Sequence, residues 1–127
     1  MTAHIAALAV IVPDYDRAIA FFCAGLGFQL TADIDQGRKR WVTVTPPGGG
    51  VSLVLAQADG AAQQAAIGNQ SGGRVWLFLH TDNFAQEAAR IVAAGGVFQE
   101  QPRAEPYGLV AVWRDPFGNL WDLIEPT

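Results

Sequence analysis

The stretch IAALAVIVPDYDRAIAFFCAGLGF, from Ile5 to Phe28, decides the fold. Its first part, Ile5 to Val12, is apolar and rich in β-branched side chains, which predicts a strand. Asp14 or Asp16 can cap a helix from Tyr15 to Ala24 by accepting hydrogen bonds from free backbone N–H groups. Glycines then end the helix, and a second strand begins.

The same order of elements returns from Arg74 to Phe98, RVWLFLHTDNFAQEAARIVAAGGVF. The run from Arg74 to Thr81 predicts a strand, Asp82 can cap a helix from Asn83 to Ala94, and two glycines follow. Phe98-Gln99 then repeats Phe28-Gln29 after 70 residues. We interpret this repeat as a duplication.

Each half reads strand, helix and three strands, so the sequence predicts an α+β fold of paired βαβββ modules in one domain, 1–127. The first module covers about residues 3–57, the connection about 58–72 and the second module about 73–127. The connection is rich in Ala, Gln and Gly, with a short helix expected around residues 61–66.

Composition excludes several classes of protein. The chain has 127 residues, of which 50% are hydrophobic and 16% charged, so it can bury a sizeable core. Its single cysteine, Cys23, excludes a disulfide scaffold and a cysteine-rich zinc module. A net charge of −4, with cations clustered only at 38–40, argues against a nucleic-acid partner. No apolar run reaches the roughly 20 residues of a membrane helix, and the start lacks a signal-peptide pattern, so we expect no membrane partner and a cytoplasmic location.

Alternation along the strands predicts their faces. From 74 to 80 one row is apolar and should meet a helix, whereas the other row consists of Arg74, Trp76, Phe78 and His80. Such second faces mix small, aromatic and polar groups, which is typical of a ligand cavity. The alternative is a second packed layer or a subunit interface.

Two motifs in this order, together with the duplication, carry a family resemblance: DYDRAIAFF with LGF at 14–28, and DPFGNLWD at 115–122. The chain resembles the vicinal oxygen chelate superfamily of glyoxalase I, extradiol dioxygenases, and fosfomycin and bleomycin resistance proteins. Within it, the chain is most similar to a poorly characterised branch. The resemblance implies paired modules with curled mixed sheets around a cavity, commonly completed in a homodimer.

The resemblance also implies four cavity-facing positions where metal enzymes of the superfamily carry ligands. By motif spacing these are Ala7, Ser52, Trp76 and Asp122. Ala and Trp cannot bind a metal and Ser is a poor ligand, so we predict no metal and no cofactor. The alternative is a divalent metal in a rearranged site built on Asp122 and His80.

We therefore predict a protein that binds a small organic molecule in an apolar, aromatic-lined cavity, as the bleomycin resistance branch does. The alternative is a metal-dependent lyase, isomerase or dioxygenase, or a metal-free enzyme in which Asp122 or His80 removes a proton. Each aromatic could equally be plain core, Asp122 an internal hydrogen-bond partner and His80 a strand-end residue. The predicted ligand contacts are Trp41, Trp76, Phe78, Tyr107, Trp113 and Asp122.

Overall fold

A computed structural model describes residues 1–127, and the chain divides into two compact units, 1–65 and 66–127. The division falls inside the stretch that the sequence predicts as the connection. None of the helices combines the length and the apolarity that crossing a bilayer requires.

The first unit is a four-stranded mixed sheet with a helix on one face. Its strands lie in the order β1-β4-β3-β2, with β1 parallel to β4 and the other pairs antiparallel. The helix α1 packs on β3 and β4, and its last part is a π-helix from Ala20 to Gly25. The elements are β1 (Ala7–Val12), α1 (Tyr15–Ile19), β2 (Gln29–Asp35), β3 (Arg40–Thr45), β4 (Ser52–Gln57) and, at the end of the unit, α2 (Ala61–Ala66).

The second unit repeats this topology. Its strands lie in the order β5-β9-β8-β6, again with one parallel pair, and a short strand β7 also pairs with β8. The helix α3 packs on β9 and β6. The elements are β5 (Val75–His80), α3 (Phe84–Ala93), β6 (Val97–Phe98), β7 (Arg103–Glu105), β8 (Gly108–Arg114) and β9 (Leu120–Pro126). The predicted fold class, paired βαβββ modules with curled mixed sheets, is confirmed.

A side-chain cap begins each of the helices α1 and α3. The first cap is the residue expected from the sequence, and the second lies one residue later than expected. Asp14 Oδ2 accepts a hydrogen bond from the backbone N–H of Arg17 at 2.8 Å, as the sequence predicts. The second helix is capped by Asn83, whose Oδ1 accepts from Gln86 N at 3.1 Å. The expected cap Asp82 is therefore wrong, because Asn83 has the extended backbone that a cap requires.

The DPFGN motif forms the turn between β8 and β9 around a buried carboxylate. Asp115 Oδ1 accepts from the backbone N–H groups of Phe117 and Asn119 at 2.9 and 3.0 Å. Its Oδ2 accepts from Trp121 Nε1 at 3.0 Å, and the Trp121 ring stacks on Trp113 at 4.7 Å between centroids. The motif thus ties the turn to the core beneath α3.

A close backbone approach fixes the start of the second unit, and this gives a first prediction. Gly68 has φ +71°, and a Cβ there would overlap the carbonyl oxygen of Phe117. Gly72 has a similar φ of +68° but open space around it. Gly72→Ala is expected to cost about 1 kcal/mol of unfolding free energy, from the left-handed backbone alone. Gly68→Ala is expected to cost at least about twice as much, since backbone atoms must also move.

Denaturant unfolding of both variants checks this. Equal losses for Gly68→Ala and Gly72→Ala would show that the contact with the 115–119 turn adds nothing to stability.

Candidate functional site

Asp122 lies at the centre of the helix-free face of the second sheet. It is paired in register with Phe78 on the parallel strand β5 and with Val112 on the antiparallel strand β8. Its neighbours along β9, Trp121 and Leu123, point to the opposite face, towards α3, because side chains alternate along a strand. The carboxylate therefore stands in an apolar row on a face that no helix of its unit covers.

The Asp122 carboxyl group is buried and incompletely hydrogen-bonded. The residue is 8% exposed, and its Oδ1 has no hydrogen-bond partner. Burial away from water raises the pKa of Asp122, since it disfavours the charged form; the positive charge of Arg103 lowers this pKa and the negative charge of Glu100 raises it further. A buried acceptor without a donor is costly, so the site is suited to receiving a donor from outside.

Arg103 organises a cluster of charges beside Asp122. Its Nε donates to Glu100 Oε1 at 3.1 Å and its Nη1 to Glu105 Oε1 at 2.7 Å. Glu100 Oε2 accepts from Val112 N at 2.8 Å, and this bond is the main reason that the pKa of Glu100 is lowered. Arg103 pairs in register with Val110, which places it on the Asp122 face. Its charge is thus already shared by two carboxylates.

Phe78 and His80 stand on the same face, on the edge strand β5. Phe78 is 62% exposed and lies directly across from Asp122. His80 is exposed and lies across from Ile124, two residues further along. A ligand on this face would therefore meet the aromatic ring and the carboxylate together, with the imidazole about 7 Å further along the strand.

A β-bulge at Trp76 interrupts the regular alternation that the sequence predicts for β5. The register shifts between Val75, across from Leu120, and Leu77, across from Trp121. Trp76 is the extra residue of this bulge, and its ring packs edge-on against Trp121 at 6.3 Å between centroids. A bulge breaks the period-two pattern, so the fifth-strand residue across from Asp122 is Phe78, not Trp76.

Trp113 lies on the opposite face from Asp122. It is 0% exposed, pairs in register with Trp121 and stacks on its ring. It also approaches Gly96, at the end of α3, so closely that a Cβ there would lie 3.0 Å from the Trp113 ring. The expectation that Trp113 lines the ligand face is therefore corrected: the ring belongs to the core under α3.

Tyr107 and Trp41, two further predicted ligand contacts, are exposed. Tyr107 directly precedes β8 and is 52% exposed. Trp41 belongs to the first unit, where it is paired with Ile34 on the face that α1 does not cover. On that face Ala7 and Ser52 lie directly across from each other, and the Ser52 hydroxyl is hydrogen-bonded to Thr45 at 2.8 Å.

Comparison with known proteins agrees with this topology. The sequence profile described as the Glyoxalase/Bleomycin resistance protein/Dioxygenase superfamily matches residues 3–123. The chain belongs to this superfamily. An uncharacterized protein of Shewanella frigidimarina is 48% identical over 98% of this chain and 95% of its own length.

Two solved structures of similar proteins align along nearly the whole chain. UcmS2 has a TM-score of 0.82 at 30% identity, covering 98% of this chain and 99% of its own. TnmS3, described as an antibiotic binding protein from Streptomyces sp. CB03234, has a TM-score of 0.78 at 30% identity, covering 99% and 98%. Both alignments cover nearly the full length of each protein, in agreement with the superfamily assignment.

The glyoxalase superfamily implies a metal, but the residues at its ligand positions do not fit one. Asp122 is the one carboxylate among them, Ala7 and Trp76 cannot bind a metal, and the Ser52 hydroxyl is engaged by Thr45. Phe78, which lies across from Asp122, has no donor atom either. No three His, Cys, Asp or Glu side chains of the chain come together as a possible ligand set. These residues therefore do not support a metal-dependent reaction at this site.

Sequence reasoning missed Arg103 and Glu100, which set the charge around Asp122. A weak signal exists, because acidic and basic residues alternate from Glu100 through Arg103 to Glu105 just before Tyr107. Nothing in the sequence indicates that Glu100 reaches the backbone of Val112, twelve residues later. That contact follows from the pairing of β6 with β8, which continues through the hydrogen bond from Gln99 N to the carbonyl of Val112.

Proposed function

We propose that this protein binds a small organic molecule on the helix-free face of its second sheet, without a metal, and that it binds rather than transforms it. The observation that carries the proposal is the buried Asp122 Oδ1 without a hydrogen-bond partner, directly across from the exposed ring of Phe78. A polar atom of this kind fixes the orientation of a ligand, and an exposed aromatic ring supplies area to bury.

Two further facts support binding as the activity. TnmS3, with which the chain shares 30% identity over nearly its full length, is an antibiotic binding protein. Three of the four ligand positions that the resemblance implies hold Ala7, Ser52 and Trp76, which favours a role without metal chemistry. The proposed contacts are Phe78, Tyr107 and Asp122 in the second unit, with Trp76 on the same strand as Phe78. Trp41 lies in the first unit, and its role as a ligand contact stays a prediction from the sequence.

A second copy of this chain is the proposed protein partner, in the cytoplasm. Large apolar side chains are exposed on the helix-free faces, among them Ile34, Trp41 and Phe78, and exposed groups of this kind favour association. Sedimentation equilibrium of the purified protein tests the homodimer; a mass of 13.5 kDa at all concentrations would contradict it.

Thermal unfolding against a library of aromatic small molecules, including antibiotics, tests the proposed function. A ligand at 100 times its Kd adds about 2.7 kcal/mol of stability, which raises the Tm of a domain of this size by several degrees. The shift is expected to disappear in Asp122→Asn and in Phe78→Ala. It is expected to persist in Asp59→Asn, which removes the same charge at an exposed position of the first unit. Hits that bind both site variants unchanged would overturn this location.

The metal-dependent alternative is tested in the same assay. The protein is purified without chelators, its metal content is measured, and Zn²⁺, Ni²⁺, Mn²⁺, Fe²⁺ or EDTA is added. A stoichiometric metal, or a Tm increase that EDTA reverses, would overturn binding without metal and favour a lyase, isomerase or dioxygenase site using Asp122 and His80. An unchanged Tm with all of them supports our proposal.

A further inference from the structure

We propose that the ligand of this site is an organic cation: an apolar, preferably aromatic, molecule whose protonated amine donates to Asp122 and lies against the ring of Phe78. This inference rests on the proposed function and specifies the chemical class of the ligand. Three independent features of the second unit support it: an unsatisfied acceptor, a surplus of negative charge and an exposed aromatic ring.

The acceptor is Asp122 Oδ1. It is buried within an apolar row and no group of the protein donates to it. A carboxylate accepts hydrogen bonds at both oxygens, so a bound molecule must supply a donor to complete this one. Bonds between charged partners are roughly twice as strong as neutral ones, which favours an ammonium over a hydroxyl.

The surplus of charge comes from Arg103 and Glu105 on β7 and from Glu100, which lies between β6 and β7. Glu100 and Glu105 both engage Arg103, so the guanidinium is already outnumbered before Asp122 is considered. With Asp122 the four side chains carry two net negative charges when all are ionised. The other cation on this face, Arg114, is turned to the 115–119 turn, where it donates to the carbonyl of Gly118 at 2.9 Å. Arg103 has a larger effect than Glu100 on the pKa of Asp122 itself, so the preference for a cation rests on the net charge of the four side chains together, which a cationic ligand offsets and an anionic ligand would increase.

The aromatic ring is Phe78, directly across from Asp122 on the neighbouring strand. Its ring is mostly exposed, so a ligand can cover it. The face of an aromatic ring attracts cations, and more strongly where water is displaced. A carboxylate and an aromatic ring side by side thus select a group that is both charged and partly apolar, as an alkylammonium is.

The test uses three probes with one naphthalene ring: 1-naphthylmethylamine, 1-naphthalenemethanol and 1-naphthoate. Their Kd values are measured by calorimetry or by protein-observed NMR at low salt. The amine is expected to bind at least about 10-fold more tightly than the alcohol and the naphthoate most weakly; 10-fold corresponds to about 1.4 kcal/mol. Asp122→Asn is expected to remove the preference for the amine, and Asp59→Asn to preserve it. Phe78→Leu is expected to weaken the amine more than the alcohol.

The contrary results are distinct. Equal Kd values for amine and alcohol, a preference for naphthoate, or an amine preference that survives Asp122→Asn would each overturn the cation assignment. So would the absence of amine binding. In any of these cases, the proposed function would still hold if a library compound raised the Tm of the parent protein but not of the Asp122 and Phe78 variants. If no library compound did so, both the proposed function and the cation assignment would be overturned.

Discussion

Asp115→Ala is expected to lower the free energy of unfolding by about 3 kcal/mol or more, the largest stability loss that we predict for this chain. The substitution removes the acceptor of three hydrogen bonds, from Phe117 N, Asn119 N and Trp121 Nε1. Asn119 and Trp121 are almost fully buried, so water cannot replace the lost carboxylate there. For a domain of this size the Tm should fall by about 10 °C.

A double-mutant cycle identifies the cause. Asp115→Asn keeps one acceptor oxygen but can turn an amide donor towards the indole N–H of Trp121, so an intermediate loss is expected. In a Trp121→Phe background, which lacks that N–H, Asp115→Asn should cost less. If Asp115→Asn lowered the free energy of unfolding equally in both backgrounds, the hydrogen bond from the Trp121 indole to Asp115 would not contribute to stability.

Asp122→Asn is expected to do the opposite, stabilising the protein increasingly as the pH rises. Burial raises the pKa of Asp122 above its ordinary value of 3.8, so between these two pKa values the folded state binds more protons than the unfolded state. Stability of the parent protein therefore falls as the pH rises through this window. Asn does not titrate, so the variant does not lose stability in this way. For one proton the loss of unfolding free energy is at most about 1.4 kcal/mol per pH unit.

Urea unfolding of both proteins from pH 3 to pH 8 measures this effect. The difference in unfolding free energy should be constant below about pH 3.8, where both states of the parent are protonated, and should grow above it in favour of Asp122→Asn. A difference that stays constant over the whole range would contradict the raised pKa. Asp59→Asn serves as the exposed control.

These two aspartates, seven residues apart, illustrate how stability and binding separate. Asp115 is buried with three donors and stabilises a turn. Asp122 is buried with an oxygen that lacks a donor, so it costs stability, and in our proposal the ligand supplies the missing donor. Natural sequences tolerate such a cost where function requires it. The same variant, Asp122→Asn, is therefore expected to raise Tm and to lose the ligand.

The sequence by itself determined the fold class. The apolar run at 5–12, the Asp14 cap and the glycines that end α1 all act within a few residues, and the second unit repeats them. Local signals of this kind depend on backbone propensity and on capping, which the chain carries wherever it folds. Two local details differ from the sequence prediction: α1 ends in a π-helix, and the cap of α3 is Asn83 instead of Asp82.

Only the tertiary structure decided which side chains share the face of Asp122. The bulge at Trp76 shifted the register and put Phe78 across from Asp122, and the strand pairing of β8 put Trp113 beneath α3. Pairing of β6 and β7 with β8 likewise brought Glu100 and Arg103 near the carboxylate. The physical reason is that a shift of one residue in a strand moves a side chain to the other face, and register is set by packing between strands that are far apart in sequence.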